Sequence, residues 1–291
     1  MIKNNVYEIV TNSIMESLEN GVIPWRKPFS DSFNILPVNF STGSVYRGIN
    51  VLLLTSIGSN LAYTHNAWLT FHQAKQLGGY IKKGEKASQI IFWKKIMLHE
   101  ESKEESPDEK MAFVARFYHV FNVDQCEGLD YDKGSLVPEN PVSSADELIA
   151  AYPAPPKIEL GSHAVYFPRL DVVKIPSSDK FISQEEHYAT LFHELIHSTG
   201  HPSRLNRELL GRHAAEQAYA QEELIAEIGS AFLCSKAGIS TPDVLQNKTA
   251  YIQSWLKALE DDKHLIVKAA SQAQKAVDFI LGNQEGFTDT P

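Results

Sequence analysis

His193-Glu194-Leu195-Ile196-His197 combines residue types and a spacing that could do chemistry. An α-helix repeats about every 3.6 residues, so side chains four apart share a face. His193 and His197 can therefore aim two imidazoles at one point, and Zn²⁺ accepts imidazole nitrogens at roughly 2.0–2.1 Å. Glu194 stands beside the first histidine, where it can take the proton of an attacking water as general base in a metal-assisted hydrolysis. Two histidines do not complete such a site, because catalytic zinc usually takes about three protein ligands and keeps one position open. His201 is one candidate for the third, but Gly200 interrupts the helix before it. The better candidate lies in Gln221-Glu222-Glu223-Leu224-Ile225-Ala226-Glu227, where Glu223 and Glu227 are again four apart. One can ligate the ion while the other hydrogen-bonds a ligand histidine. The expectation is Glu223 as ligand and Glu227 as support. A solvated acidic face is the plainer alternative, weakened because Glu227 sits among apolar residues. Tyr219, just upstream, is a candidate donor to a developing oxyanion.

Such a site needs rigid elements around it. Tyr188, Leu191, Phe192, Leu195 and Ile196 form an apolar helical face that can bury the histidine helix, and Gly200 and Pro202 end it. The glutamate segment leads into Ile228, Ala231, Phe232 and Leu233 and closes at Gly238. Two amphipathic helices are predicted beyond it, over Lys248–Leu259 and His264–Leu281. Upstream, a short helix is expected over Ala145–Tyr152. The apolar runs His163–Pro168 and Asp171–Pro176 read as a hairpin or paired edge strands. Residues 128–144 hold Gly, Pro and Asp without clear periodicity and read as a linker.

The N-terminal half carries a different kind of signal. Val6, Ile9, Val10, Ile14 and Leu18 recur at helical spacing, so residues 4–20 are expected to be a helix closed by Gly21. In Pro24-Trp25-Arg26-Lys27-Pro28-Phe29, Trp25 could stack a nucleic-acid base while Arg26 and Lys27 hold its phosphates; the alternative is that Trp25 caps the core. Arg47 is a further phosphate-contact candidate, and Asn50 a helix cap leading into the buried run Val51–Ile57. Thr70 and Gln73 have the spacing of a capping box. Strands are predicted over Gln89–Lys95 and Met111–Asn122. Lys82, Lys83, Lys86, Lys94 and Lys95 cluster in sequence near Trp93, and basic residues interleaved with aromatics suit a single-strand groove better than a duplex reader. A solvated lysine face is the alternative.

The chain of 291 residues has a net charge of −9, which argues against a general nucleic-acid binder, but the distribution is uneven. Residues 1–125 carry 13 basic and 12 acidic side chains, leaving 14 and 24 for the rest. The segment 99–110 holds 6 of those acids and 2 of those bases, so the remainder of the N-terminal half is +5. A modestly basic half thus precedes an acidic one, compatible with DNA binding in the first only. Two cysteines, Cys126 and Cys234, make no disulfide framework. No 18-residue apolar run or signal-peptide core is present, so a cytoplasmic protein without a membrane segment is expected.

The blocks YATLFHELIHSTGH and YAQEELIAEIGSAFLC resemble the zincin-type metallopeptidase domain of the ArdC-type antirestriction proteins of conjugative plasmids and related mobile elements. WRKPF, VYRGINVLLL, WLTFHQAKQLGGYIKKGEK and FYHVFNVDQCEGL resemble that family's single-stranded-DNA-binding domain, a relative of which heads some plasmid primases. The resemblance implies an α+β chain: a mixed α/β single-stranded-DNA-binding domain over 1–127, a linker over 128–144, and a zincin-like domain over 145–291. It also implies an antirestriction protein that binds single-stranded DNA and protects it as it enters a recipient cell. Zn²⁺, or another divalent ion such as Mn²⁺, would sit on His193, His197 and Glu223, with a protein linked to restriction as substrate and, as in zincins, an extended peptide held on an edge strand. The competing reading is a cytosolic metallopeptidase whose N-terminal domain recognises a protein partner. A third keeps DNA binding but makes the metal structural, with His201 closing the ligand shell.

Overall fold

A computed structural model describes residues 6–25, 36–98, 110–130, 140–207, 216–239 and 248–283. The N-terminal half begins with α1 (Val6–Glu19), whose Val10, Ile14 and Leu18 are buried, as their spacing requires. α2 (Ile49–Asn60) is apolar nearly all round and is buried accordingly. Between and after them run β1 (Val38–Asn39), β2 (Ala67–Leu69), α3 (Phe71–Gln76), β3 (Tyr80–Ile81), β4 (Ser88–Leu98), β5 (Lys110–Asn122) and β6 (Cys126–Glu127). The main sheet has the order β1-β2-β5-β4, and β3 pairs with β6 in a second, two-stranded sheet. Thr70 and Gln73 form the expected capping box at the start of α3.

The long β4/β5 hairpin is antiparallel, from Ser88 opposite Val120 to Leu98 opposite Lys110. Alternation along it buries both faces. Ile90, Phe92 and Val120 pack with Tyr46, Leu54 and Trp68. Ile91, Trp93, Ala115 and Phe117 face the other way, into the cluster that contains α1, α2 and the C-terminal helices. Asn50 sits inside α2 rather than at its end. Its Oδ1 accepts from the Ile91 N–H at 2.8 Å and its Nδ2 donates to the Ile91 C=O at 2.7 Å. The cap expected at Asn50 is therefore a latch between α2 and β4, because Gly48 (φ 54°) already makes the turn into the helix.

The C-terminal half comprises α4 (Pro141–Ala150), β7 (Lys157–Leu160), β8 (Val165–Phe167), β9 (Val172–Ile175), α5 (Gln184–Ser198), α6 (Glu216–Ala237), α7 (Lys248–Asp261) and α8 (Leu265–Ile280). Residues 141–144, expected in the linker, belong to α4: Asn140 caps it, accepting from the Ser143 N–H, and Pro141 fits the first turn, where no N–H is needed. β8 and β9 form the expected antiparallel pair, and β7 adds a parallel edge to give the order β7-β9-β8.

The two halves share one apolar core. A single cluster of buried residues runs from α1 and α2 into α5, α6 and α8. Around it, Thr11 donates to the Lys263 C=O at 2.7 Å, Gln274 Oε1 accepts from the Gly48 N–H at 3.0 Å, and Arg47 pairs with Asp278. The fully buried Ala269, Ala270, Ala273 and Ala276 let α8 lie close against its neighbours. Among the described residues no helix is long and apolar enough to cross a membrane.

Candidate metal centre

α5 is a well-terminated helix. Ser183 caps its N-terminus by accepting from the Glu186 N–H at 3.2 Å. At the other end, Arg207 donates to the Ile196 C=O at 2.9 Å and Arg204 to the Ser198 C=O at 2.7 Å, satisfying carbonyls that the helix leaves open. Leu191, Phe192, Leu195 and Ile196 are buried at 5% exposure or less. Each buried side chain of this size contributes roughly 1.5–3 kcal/mol, enough for the helix to carry a polar stripe without support from its own propensity.

α6 crosses α5 closely because of Gly229. A Cβ there would stand 2.7 Å from Ile196 Cδ1 and 2.9 Å from its Cγ1, so a larger residue would force the buried Ile196 side chain or the helices to shift. Ser230 donates to the Ala189 C=O at 2.8 Å and fixes the register of the crossing. This brings Glu223 opposite the two histidines. His193 Nε2 and His197 Nε2 are 3.1 Å apart, and Glu223 lies 3.5 Å from the first and 3.7 Å from the second. Ligand atoms about 2.1 Å from one ion in a tetrahedral shell are roughly 3.4 Å apart. The three donors fit one divalent ion, and they form the group among the described residues able to hold a metal.

The surrounding carboxylates set the charge. Burial works against protonation of His193, yet the hydrogen bond to Glu223 and the charges of Glu227, Glu194 and Glu223 outweigh it, so the metal-free imidazole is pushed up to about 9. Burial would raise Glu223, but its hydrogen bond to His193, the charge of His197 and the Tyr219 hydroxyl hold it down at about 2. Tyr219, considered above as an oxyanion donor, thus touches the carboxylate of the third donor. Glu194 is 9% exposed beside His193. Glu227 Oε1 lies 4.0 Å from His193 Nδ1. His197 has a closer neighbour that sequence reasoning missed: its Nδ1 is 3.2 Å from Glu222 Oε1. Glu222 is in turn gripped by Arg207. His201 is outside the cluster, its Nδ1 2.7 Å from Ser203 Oγ past the helix end.

The candidate DNA-contacting residues are not brought together in the same way. Trp25 is 5% exposed and packs edge-on against Trp255 at 5.0 Å, so it is part of the core and offers no face to a base. Trp93 is half-buried, with its ring 5.7 Å from that of Tyr7. Arg47 is engaged by Asp278. Lys82 donates to the Asp124 C=O at 2.8 Å, whereas Lys83 and Lys86 are exposed. Arg26, Lys27 and the side chain of Lys94 lie outside the described residues.

Comparison with known proteins matches both halves. Residues 4–121 match the N-terminal domain of anti-restriction factor ArdC, and residues 143–272 match a zincin-like metallopeptidase family. The crystal structure of the metal-free antirestriction protein ArdC from plasmid R388 superposes with a TM-score of 0.77 at 39% identity, covering 96% of this chain and 97% of that one. This chain belongs to the ArdC family of antirestriction proteins. The Mn(II)-bound structure of the R388 ArdC is similar at a TM-score of 0.76 and 38% identity, over 98% of this chain and all of that one. The uncharacterized protein y4eC of Sinorhizobium fredii is 32% identical over 96% of this ArdC-family chain and 92% of its own length. The DNA primase TraC of Escherichia coli is 34% identical over 98% of this chain, which spans only 28% of the primase.

Proposed function

We propose that this protein protects incoming DNA from host restriction by binding it as a single strand, and that its C-terminal half is a divalent-metal peptidase. The observation that carries the second part is the convergence of His193, His197 and Glu223 with Glu194 beside them. The Mn(II)-bound structure of the R388 relative supports a divalent ion in this family, and we assign it to these three donors here. Zinc is equally suited to two imidazoles and a carboxylate, and the metal found in a purified sample will reflect supply as well as preference. When bound, the ion supplies Lewis-acid polarisation of the scissile carbonyl and of the attacking water. Glu194 takes the proton of that water and passes it to the leaving amine. Tyr219, one turn before Glu223 and 37% exposed, is the residue we assign as donor to the developing oxyanion.

For DNA, support comes from the match of residues 4–121 to the ArdC N-terminal domain and from the +5 charge outside the acidic segment. With Trp25 buried, stacking would fall to exposed rings, and Phe71 and Tyr80 are 58% and 59% exposed, with Lys83 and Lys86 also at the surface. The loss of Trp25 and Arg47 from the basic-aromatic surface also favours a second reading, in which the N-terminal half recognises a protein.

The deciding experiment is restriction of unmodified plasmid DNA entering recipient cells that hold no protein, this protein, or its Glu194→Gln variant at matched levels. Protection by the unmodified chain alone assigns the biological step to the metal site. Equal protection by both assigns it to DNA binding. Protection by neither sinks the antirestriction role for this chain. The second reading is tested separately: single-stranded-DNA affinity should fall steeply with salt, and an affinity that is absent or indifferent to salt favours the protein partner.

A further inference from the structure

His197 can ligate a metal through Nε2 only if its proton sits on Nδ1, and something must hold the ring in that tautomer and at that angle. The neighbour on the Nδ1 side is Glu222 Oε1 at 3.2 Å. Glu222 is only 9% exposed, so an ungripped carboxylate there would be costly and free to turn toward water. Arg207 supplies the grip. Its Nη2 donates to Glu222 Oε1 at 2.8 Å and its Nε to Oε2 at 3.1 Å, a two-pronged contact that fixes the carboxylate plane. The same guanidinium reaches back to the histidine helix, with Nη2 donating to the Ile196 C=O at 2.9 Å and Nη1 to Thr199 Oγ1 at 2.8 Å. Arg207 is therefore bonded to both ligand-bearing helices at once, α5 through its last turn and α6 through Glu222. Its side chain is 8% exposed, so it is well shielded from competing water.

We infer that Arg207 is a positioning residue of the metal centre: by clamping Glu222 it sets the tautomer and orientation of His197 and preassembles the site before metal arrives. This rests on the reading of His193, His197 and Glu223 as metal ligands. Lysine cannot replace it, since one ammonium cannot present two parallel N–H groups to a carboxylate while also reaching Ile196 and Thr199.

The test uses the full chain with histidine nitrogens labelled, in three forms: unmodified, Arg207→Met and Glu222→Gln. In the metal-free protein, nitrogen chemical shifts report which His197 nitrogen bears the proton. Zinc affinity is then measured by competition with a chromogenic chelator, and folding by circular dichroism. The unmodified chain should show His197 protonated on Nδ1. Arg207→Met should give a mixture of tautomers and bind zinc about 10–100-fold more weakly, the range typical of losing a partner behind a metal ligand. Glu222→Gln leaves one oxygen for both His197 Nδ1–H and Arg207, so it should mix the tautomers and weaken zinc binding, less than Arg207→Met does, and it carries the test if Arg207→Met does not fold. A variant that is folded but less heat-stable, with unchanged tautomer and zinc affinity, would show Arg207 to be a structural cap and overturn the inference. Failure of the unmodified chain to take up zinc or manganese overturns the metal-site reading itself, and the positioning role falls with it.

Discussion

The two halves of this chain make their functional surfaces by different means. In the C-terminal half, three of the four central side chains lie on one turn of one helix, so His193, Glu194 and His197 are placed by helical geometry alone. In the N-terminal half, the described candidates are scattered from Trp25 to Lys94 over loops and the strand β4, and only packing decides which face solvent. Packing turns Trp25 inward against Trp255, ties Arg47 to Asp278, and leaves Lys83 and Lys86 outside. A local motif survives folding as a site, whereas a composition of basic and aromatic residues is redistributed by it.

The strongest way to break this contrast is at the helix. His197→Ala should reduce bound metal from about one ion per chain to nearly none, because two remaining donors fall short of a catalytic shell. Glu194→Gln should keep the metal and lower any peptidase rate by about 10²–10⁴-fold, the usual contribution of a general base. Elemental analysis of both variants, with hydrolysis followed on a denatured protein substrate, separates the roles. A Glu194→Gln protein that lost its metal would make Glu194 a ligand, against the geometry above.

In the N-terminal half the large effect should be on stability. Trp25→Ala removes a buried ring from its contact with Trp255 and should cost about 3–5 kcal/mol, visible in chemical denaturation. Were Trp25 a stacking platform, the same change would leave stability nearly intact and weaken single-stranded-DNA binding instead. Asn50→Ala should follow at about 1–3 kcal/mol, since it leaves the N–H and C=O of Ile91 without their partner inside the core.

Protonation sharpens the contrast in the other half. His193 in the metal-free site is pushed up to about 9, above the ordinary histidine value, so near neutral pH it holds a proton that must leave before its nitrogen can ligate. Metal affinity should therefore rise with pH, by about tenfold per unit for this one proton, and level off above about 9. Glu223, held at about 2, stays ionised throughout and contributes no slope. Titration calorimetry in buffers of different ionisation enthalpy counts the released proton; a release near zero would place His193 neutral in the free site.

Legibility in the sequence follows the same line. The helices, the strands β4 and β5, the β8/β9 pair and the Thr70–Gln73 box were readable because each is set by spacing within a short window. So was Glu223, through its own spacing to Glu227. Glu222 and Arg207 were not. Glu222 looks like half of an ordinary acidic pair, and Arg207 belongs to the segment after α5 with no local pattern at all. Their roles arise only when Gly229 lets α6 cross α5 and the three segments meet. The helical start at Pro141 was obscured because Gly128, Gly134 and Pro138 ahead of it, and Pro141 itself, signal a linker. The shared core was hidden for a related reason: the apolar stripe of α8 says that it packs, but not that one partner is α6 and another the N-terminal half.

The smallest effect is expected at Arg47, and it bears directly on how far composition can be trusted. Its guanidinium is 43% exposed and pairs with Asp278 at 15% exposure, beside the Gly48–Gln274 contact between the halves. An ion pair this open contributes at most about 1 kcal/mol, because water and salt screen it and the arginine loses side-chain freedom in making it. Arg47→Ala should therefore shift the denaturation midpoint only slightly. Its carboxylate partner also neutralises Arg47 as a phosphate contact, so single-stranded-DNA affinity and its salt slope should hardly change, while Lys83→Ala with Lys86→Ala should lower the slope by about two. If Arg47→Ala instead lowers the slope by about one and the lysine pair does nothing, the DNA path runs along the boundary between the halves, and Asp278 is a competitor that the strand must displace.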